Sequence, residues 1–178
     1  MQQLQFNAST SVAIVSDTHS YLHPEIIKLV KKCDYAIHAG DIGCNEILKL
    51  LKPKKSKVIV VKGNNDHINS WDEKEHDVVS TLQHVGELVL PGGRVVVEHG
   101  EAHGFHAPCH KKLRKAHSHA RVIVYGHTHK QVVDQSELPW VLNPGAAGKT
   151  RTHGGSSCLV LHACPTKEWD VQRFRFSD

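Results

Sequence analysis

Five short apolar runs dominate the hydrophobic pattern of the chain, and a polar block follows each of them. The runs cover residues 12–16, 35–39, 58–62, 94–98 and 122–125, and their β-branched composition predicts strands. The blocks that follow are Asp17-Thr18-His19, Gly40-Asp41, Gly63-Asn64-Asn65-Asp66, His99-Gly100 and Gly126-His127-Thr128-His129. Open α/β sheets bind ligands beyond the carboxyl ends of their strands, so the pattern predicts a polar crevice built from these five ends.

Helical periodicity separates the first three runs. Apolar residues recur at helical spacing in 25–32, where Pro24 suits the first turn, and again in 45–51, which Pro53 terminates. An order of strand, helix, strand, helix and strand predicts a parallel sheet covered on both faces, with 58–61 as a third buried strand.

The second half of the chain has an antiparallel pattern. Pro91-Gly92-Gly93 between the runs 82–90 and 94–98 predicts a hairpin, and 169–176 alternates polar and apolar residues as an edge strand does. The other elements expected here are strands at 140–143 and 156–162 and a helix at 110–119. Since neither a repeat nor a low-complexity linker interrupts the chain, residues 1–178 are interpreted as one α/β domain of two packed sheets.

Composition narrows the class of protein. The chain has 178 residues, 39% hydrophobic and 22% charged, and a net charge of +4, as is ordinary for a globular protein. No apolar run approaches the roughly 18 residues of a membrane span, and residues 1–10 have no signal-peptide pattern, so we expect a cytoplasmic protein without membrane attachment. Low aromatic content, 6%, disfavours a dedicated nucleic-acid surface, whereas a mildly positive surface suits a phosphate substrate. The sequence leaves open whether chains pair into a homo-oligomer.

The cysteines and histidines point to different chemistry. Five cysteines without a C-x-x-C pair predict free, mostly buried thiols. His127 and His129 stand two residues apart at a strand end and therefore point to the same side, which favours a metal site. Because the polar blocks supply oxygen and imidazole donors but no thiolate, Mn²⁺, Fe²⁺, Co²⁺, Ni²⁺ or Zn²⁺ is favoured over Ca²⁺ or Cu⁺.

The five polar blocks occur in the order and rough spacing of the calcineurin-like metallophosphoesterases, and the chain resembles this family over about residues 12–148. Its short length, the Gly63-Asn64-Asn65-Asp66 block and Asn143-Pro144-Gly145 are most similar to the small YfcE-type phosphodiesterase branch. The resemblance implies a two-sheet (α/β/β/α) sandwich with two divalent metal ions at the sheet edge, and family analogy favours Mn²⁺.

The resemblance also implies which residues act. The first metal ion would be held by Asp17, His19, Asp41 and His129, and the second by Asp41, Asn64, His99 and His127. The shared Asp41 carboxylate would offset repulsion between cations about 4 Å apart. The implied reaction is hydrolysis of a small phosphodiester or nucleotide-like substrate by a metal-bridging hydroxide, with Asn64 stabilising charge on the phosphoryl oxygens. Asp66 is interpreted as a structural partner that orients a loop or a ligand histidine.

Departures from the family pattern leave several roles open. Asn65 stands where many relatives have a histidine that protonates the leaving group, which favours diesters; Asn65 either contributes to catalysis by binding the phosphate or supports its turn. Glu101 replaces the last histidine of a His-Gly-His sequence, so His99 is the preferred ligand, and His103 is a candidate general acid and substrate-binding residue. Asn143 either lines the pocket or shapes a structural turn. The alternative functions are a phosphomonoesterase and a non-catalytic protein-binding scaffold, as in one retromer subunit of this fold.

Overall fold

A computed structural model describes residues 9–177, in which strands and helices alternate at first and strands predominate later. The strands are β1 (Thr10–Val15), β2 (Tyr35–His38), β3 (Lys57–Val60), β4 (Val85–Leu90), β5 (Gly93–Glu98), β6 (Val122–Val124), β7 (Gln131–Asp134), β8 (Trp140–Pro144), β9 (Ser156–Ala163) and β10 (Asp170–Phe176). The α-helices are α1 (Pro24–Val30), α2 (Asn45–Leu50), α3 (His76–Thr81) and α4 (His110–Ala116). Within 9–177, no helix has the length and apolar character that crossing a membrane requires. The absence of a signal peptide was predicted mainly from residues 1–8, which lie outside the described part.

The strands form two five-stranded mixed sheets. In the first, with order β10-β9-β1-β2-β3, the pairs β1–β2 and β2–β3 are parallel, and β9 and β10 add antiparallel pairs. In the second, with order β4-β5-β6-β8-β7, three parallel strands lie between antiparallel edges. The predicted α/β class with two sheets is confirmed.

Successive side chains of the central strands point alternately into two different apolar cores. Val95 and Val97 of β5 face the core between the sheets, whereas Val96 packs outward with Leu113 of α4. In β1, Ile14 likewise faces the core between the sheets, and its neighbours in sequence face the core that contains α1 and α2. Burying one such side chain contributes roughly 1.5–3 kcal/mol, so these cores hold the helices on the outside and the sheets face to face.

Most predicted elements are present, with ends that differ by a few residues. The hairpin of β4 and β5 is confirmed, and β10 is an antiparallel edge strand as predicted. The prediction that the third strand is buried is wrong, because β3 is the edge of its sheet and its residues are half-buried or exposed. The sequence reading also missed α3 and β7, a four-residue edge strand that gains its register from pairing with β8.

The five cysteines are free thiols, as predicted, but most of them are not buried. Only Cys33 and Cys158 are buried, whereas Cys109 is exposed and the other two are partly exposed. Cys44 and Cys109 precede helices, at positions that lie near the surface. The burial prediction was therefore wrong for Cys109, which is exposed, whereas Cys44 is only partly buried although it packs against the apolar core.

His38, the last residue of β2, is buried in its neutral form. The Thr18 hydroxyl donates to the Ile42 carbonyl at 2.9 Å, so His38 Nε2 donates to Thr18 Oγ1 at 2.8 Å. His38 Nδ1 accepts the N–H of Gly40 at 3.2 Å, a bond that a second ring proton would remove. Burial lowers the pKa of His38 from 6.5 to about 3.

The free energy of unfolding should therefore fall as the pH drops from about 6.5 toward 3. In this range the unfolded state takes up a proton on His38 and the native state does not, so stability is present above the unfolded pKa and is lost below it. His38→Gln retains a donor for Thr18 and should flatten this part of the curve. Urea unfolding of chelator-treated protein at several pH values measures the effect, with His162→Gln, a partly buried strand position, as control. Equal slopes for wild type and His38→Gln would contradict this assignment.

Candidate metal centre

The loops that follow five strands meet at one edge of the sandwich. Backbone hydrogen bonds join them: Asp17 N donates to Gly40 O, and Gly126 N donates to His99 O. Three loops follow β1, β2 and β3 of the first sheet, and two follow β5 and β6 of the second. The predicted crevice is present, and it lies between two sheets.

Five of the seven proposed ligands have a left-handed backbone conformation. The φ angles are 53° at Asp17, 43° at His19, 56° at Asp41, 70° at His127 and 59° at His129. Non-glycine residues rarely adopt this conformation, which costs on the order of 1–3 kcal/mol each and concentrates at functional sites. The backbone is thus bent so that these side chains turn toward one another.

Two buried carboxylates form the middle of the crevice. Asp17 is 0% exposed and Asp41 is 2% exposed. His99 Nε2 lies 3.5 Å from Asp41 Oδ2 and 4.0 Å from Asp17 Oδ1. Within the described residues, His99 Nε2 and Asp17 Oδ2 are buried without a hydrogen-bond partner. Unsatisfied buried atoms cost roughly 1–3 kcal/mol each, and a bound cation would satisfy both.

His19 and His129 complete the first proposed ligand set. His129 Nε2 lies 3.4 Å from Asp17 Oδ1 and 3.2 Å from His19 Nε2, which in turn lies 3.8 Å from Asp41 Oδ2. His129 Nδ1 donates to the Thr150 carbonyl at 2.6 Å. Because a carbonyl only accepts, the His129 proton is on Nδ1 and the lone pair of Nε2 faces the carboxylates.

The second proposed ligand set shows the same arrangement at His99. His127 Nδ1 lies 2.8 Å from Asn64 Oδ1, while His127 Nε2 donates to the Phe105 carbonyl at 2.5 Å. His99 Nδ1 donates to the Ala39 carbonyl at 2.7 Å. His99 therefore directs the lone pair of Nε2 into the crevice, and a carbonyl that fixes the tautomer in this way is typical around metal-binding histidines. Both ring nitrogens of His127 instead face oxygen atoms that accept hydrogen bonds.

All seven proposed ligand residues lie together, and their donors fit divalent cations. One group of ligand atoms within 4.8 Å of one another belongs to Asp17, His19 and His129, and a second belongs to Asp17, Asp41 and His99. His127 lies beside the second group, with its ring centroid 5.2 Å from that of His99, and its Nδ1 is 2.8 Å from Asn64 Oδ1. Asp17, His19, Asp41 and His129 would hold one ion, and Asp41, Asn64, His99 and His127 the other.

The electrostatics of the crevice also favour a cation. Burial raises the pKa of Asp17 to about 7. Burial opposes the charge on His99, but the nearby carboxylates of Asp41, 3.5 Å from Nε2, and Asp17 outweigh it and raise the pKa of His99 to about 9. Burial lowers the pKa of His129 to about 4, so that ring is neutral. Without metal, protons on Asp17 and His99 offset the negative charge of the crevice, and a bound cation would displace them.

Asn65 and Asn143 position the centre from opposite sides. Asn65 donates to both carboxylate oxygens of Asp41, at 2.9 Å from its backbone N and 2.6 Å from Nδ2. Asn143 is 0% exposed and donates to Gly126 O at 2.7 Å and Thr128 Oγ1 at 3.2 Å. The expectation that Asn143 binds substrate does not fit this burial; its amide instead supports the loop that carries His127.

His103, expected to act as a catalytic and substrate-binding residue, does not line the cavity at the centre. Its Nε2 lies 3.1 Å from Glu98 Oε1. His99 lies closer to both aspartates and is the geometrically suitable ligand, as preferred from the sequence. Of the neighbouring histidines, His106 lines the cavity, whereas His110 lies 2.7 Å from an Asp134 carboxylate oxygen elsewhere.

A cavity of about 480 Å³ opens over the centre. It is lined by Asp41, Asn64, Asn65, Phe105, His106, His127, Thr128, Lys130, Arg151 and His153. Arg151 contacts a proposed ligand directly, with Nη2 at 3.0 Å from His129 Nε2. The sequence analysis missed Arg151 and Phe105. Neither residue belongs to a recognisable motif, and no local pattern distinguishes one arginine among 22 basic residues. The arginine brings a positive charge to the mouth of the cavity.

Asp66 joins the loops beneath the centre. Its carboxylate accepts N–H groups of Ile42 at 3.0 Å, Gly43 at 3.2 Å and Gly63 at 3.0 Å, and the Trp71 indole at 3.2 Å. All four partners are N–H donors. The side chain at this position must therefore only accept hydrogen bonds, as a carboxylate does. The predicted loop-orienting role of Asp66 agrees with these contacts.

A two-sheet α/β fold with clustered metal-ligating side chains at its edge is typical of a known family of domains. The model of the calcineurin-like phosphoesterase superfamily domain matches residues 11–165, and the chain belongs to this family. It is 30% identical over 145 residues to the probable metallophosphoesterase MJ0623 of Methanocaldococcus jannaschii, covering 76% of this chain and 67% of that protein. It is 26% identical over 148 residues to the phosphodiesterase MJ0936 of the same organism, covering 75% and 82%.

Solved structures show the same fold. Vacuolar protein sorting 29 from Cryptosporidium parvum superimposes with a TM-score of 0.71 at 18% identity, over 96% of this chain and 99% of that one. YfcE, a phosphoesterase from E. coli, superimposes with a TM-score of 0.59 at 18% identity, over 87% and 92%. The resemblance predicted from the polar blocks is confirmed.

Asp66→Asn should weaken both stability and metal affinity. The substituted amide places an NH₂ group against backbone donors, so the free energy of unfolding should fall by about 1–3 kcal/mol. The loosened loops should lower metal affinity by roughly 10–100-fold, as outer partners of metal sites do. Urea unfolding and metal titration measure the two effects, with Asp77→Asn, an exposed helix position, as control. Wild-type values for both quantities would show that Asp66 does not organise the centre.

Proposed function

We propose that this protein is a dinuclear-metal phosphodiesterase that hydrolyses a small phosphodiester or nucleotide-like substrate. The observation that carries the proposal is the buried, unpartnered pair Asp17 Oδ2 and His99 Nε2 beneath an open cavity, among imidazoles with inward lone pairs. Membership of the calcineurin-like family supports phosphoester hydrolysis. The relative named a phosphodiesterase supports a diester substrate.

We infer two divalent ions, with Mn²⁺ foremost and Ni²⁺, Fe²⁺, Co²⁺ or Zn²⁺ as alternatives that the same donors accept. When bound, the two ions would act as Lewis acids that lower the pKa of a water and offset charge growing on the phosphoryl oxygens. Two such ions carry +4 and the carboxylates of Asp17 and Asp41 carry −2, which leaves +2. A phosphate ester is an anion that this charge attracts.

Residues of the chain would hold the phosphate over the centre. Asn64 is exposed to the cavity and turns its Oδ1 toward His127, so its Nδ2 is free to donate to a phosphoryl oxygen. Arg151 and Lys130 line the same cavity and add charged donors. Arginine in particular matches phosphate with paired N–H groups. The phosphate would therefore be bound from above by side chains and from below by the centre.

Phe105 supports an aromatic or nucleobase group on the substrate. Its side chain is 62% exposed at the cavity, with its ring centroid 5.1 Å from that of His127. Stacking of a base on such a ring contributes roughly 1–3 kcal/mol. Asn65 occupies the place of the acid found in many relatives and is bonded to Asp41, which favours diesters whose leaving group needs little protonation.

A protein-interaction scaffold is the second candidate function. The likeness to vacuolar protein sorting 29 favours it, since that fold covers nearly the whole chain. A scaffold of this kind would fold and bind partners without hydrolysing a phosphoester at any metal loading. A phosphomonoesterase, the third candidate, would share the centre and differ in preferring monoesters. Turnover of diester and monoester substrates by Mn²⁺-, Ni²⁺- and Zn²⁺-loaded protein separates the three.

Asp41→Asn should abolish phosphodiester hydrolysis. The amide keeps the shape of the side chain but removes the charge shared between both ion sites, so we expect a fall of at least about 100-fold in the turnover of bis-p-nitrophenyl phosphate, beyond the effect of outer partners. Bound metal, measured by elemental analysis after dialysis, should fall in parallel. Asp170→Asn, an exposed strand position, is the control and should match wild type. A folded Asp41→Asn protein with wild-type metal content and rate would refute the assignment.

Arg151→Gln should weaken substrate binding while the metal content stays unchanged. Loss of a charge-assisted hydrogen bond to phosphate costs about 1.5–3 kcal/mol, or roughly 10–100-fold in kcat/KM. Most of this loss should appear in KM, because Arg151 contacts the substrate in both the ground state and the transition state. Steady-state kinetics on the diester measure it, with the exposed Arg173→Gln as control. An unchanged KM would remove Arg151 from the phosphate site.

A further inference from the structure

Glu98, His103 and His117 form a second group of possible metal ligands, apart from the seven described above. His117 Nε2 lies 2.6 Å from Glu98 Oε2, and His103 Nε2 lies 3.1 Å from Glu98 Oε1. The three residues come from the end of β5, the turn after it and the residue that follows α4. Two imidazoles and a carboxylate that are distant in sequence thus meet in one place.

The carboxylate of this group is buried and incompletely satisfied. The exposed fractions of the side chains are 9% for Glu98, 19% for His103 and 12% for His117. Among the described residues, Glu98 Oε1 has no hydrogen-bond partner, although His103 Nε2 is near it. Leaving a buried carboxylate oxygen unsatisfied is costly. A cation between Glu98 and the two rings would satisfy it.

The distances suit a small divalent cation. With metal–ligand distances of about 2.0–2.2 Å, a tetrahedral site places its ligand atoms roughly 3.3 Å apart. The two shortest separations here are 2.6 and 3.1 Å, and the three ligand atoms lie within 4.8 Å of one another. Small side-chain shifts would therefore admit an ion. Two histidines and one glutamate form a ligand set that Zn²⁺ commonly uses, with a fourth position left for water.

This group is separate from the centre at the cavity. Glu98 and His99 are neighbours in the chain, and successive side chains at a strand end point in opposite directions. His99 turns inward to Asp41 at 3.5 Å, and Glu98 turns toward His117 at the end of α4. No side chain is shared between the two sets of ligands.

We propose that Glu98, His103 and His117 bind a third divalent metal ion, with Zn²⁺ as the preferred ion. The ion joins the end of β5 to the residue after α4 and so fixes the outer helix next to the loop that begins with His99. This site goes beyond the proposed hydrolase function, because none of its three residues belongs to the dinuclear centre or to the cavity above it.

His117→Gln tests the proposal, with His119→Gln as matched control. His119 is the same residue type two positions away, is 51% exposed and pairs with Glu87 at 3.2 Å, outside the group. After equilibrium dialysis against micromolar Zn²⁺, elemental analysis should find one ion per chain fewer in His117→Gln than in wild type and in His119→Gln. Phosphodiester turnover should be unchanged in His117→Gln.

Two further measurements keep the test decisive. Circular dichroism establishes that each variant is folded, and Glu98→Gln and His103→Gln should each lose the same single ion if His117→Gln does not fold. Replacing Zn²⁺ by Co²⁺ should give wild type an absorption band of tetrahedral Co²⁺ that the three variants lack. Folded variants that retain the wild-type stoichiometry and cobalt spectrum would overturn the proposal and leave the group as a hydrogen-bonded cluster.

Discussion

The close approach of two buried carboxylates is the constraint on which the rest of this structure depends. Asp17 and Asp41 are both nearly inaccessible, and His99 faces both of them. Like charges repel strongly when water is removed, so this arrangement is stable only if protons or cations neutralise it. Imidazoles with a fixed tautomer, such as His129, offer a lone pair to a cation. The raised pKa values of Asp17 and His99 favour protons in this crevice when metal is absent.

The backbone of the loops is shaped by the same constraint. Five proposed ligands adopt left-handed conformations, and a Cβ on Gly63 would collide with the backbone N and Oδ1 of Asp41. Such strained conformations persist only where contacts with the surrounding structure hold the backbone in place. Here the surroundings are fully buried strand residues such as Val15, Val97 and Val124, together with the hydrogen bonds that Asp66 accepts. Rigid strands therefore fix the loop ends, and the loops in turn hold strained residues in place.

The sequence predicted those parts of the fold and site that local pattern and chain order encode. An apolar run followed by Asp, Asn or His can be recognised in a short stretch of sequence. The order of the polar blocks along the chain then pointed to a family whose ligand residues lie close together. The rest depends on contacts distant in sequence. Arg151 contacts His129 from a distant loop, β3 is the last strand in the order of its sheet, and His103 lies 3.1 Å from the buried carboxylate of Glu98. None of these contacts has a local pattern.

The same physical chemistry bears on the choice between an enzyme and a scaffold. Replacing buried charged groups by apolar residues of similar volume is often neutral or stabilising by about 1–4 kcal/mol. A surface that only binds another protein gains nothing from Asp17 buried with an unpartnered oxygen, or from His127 held in a left-handed conformation beside Asn64. These features each lower stability in the metal-free protein, and they lower it less once cations satisfy the lone pairs. The buried ligand set therefore suits bound metal, and an exposed arginine and an exposed phenylalanine line the same cavity, where the proposed phosphodiester substrate would bind.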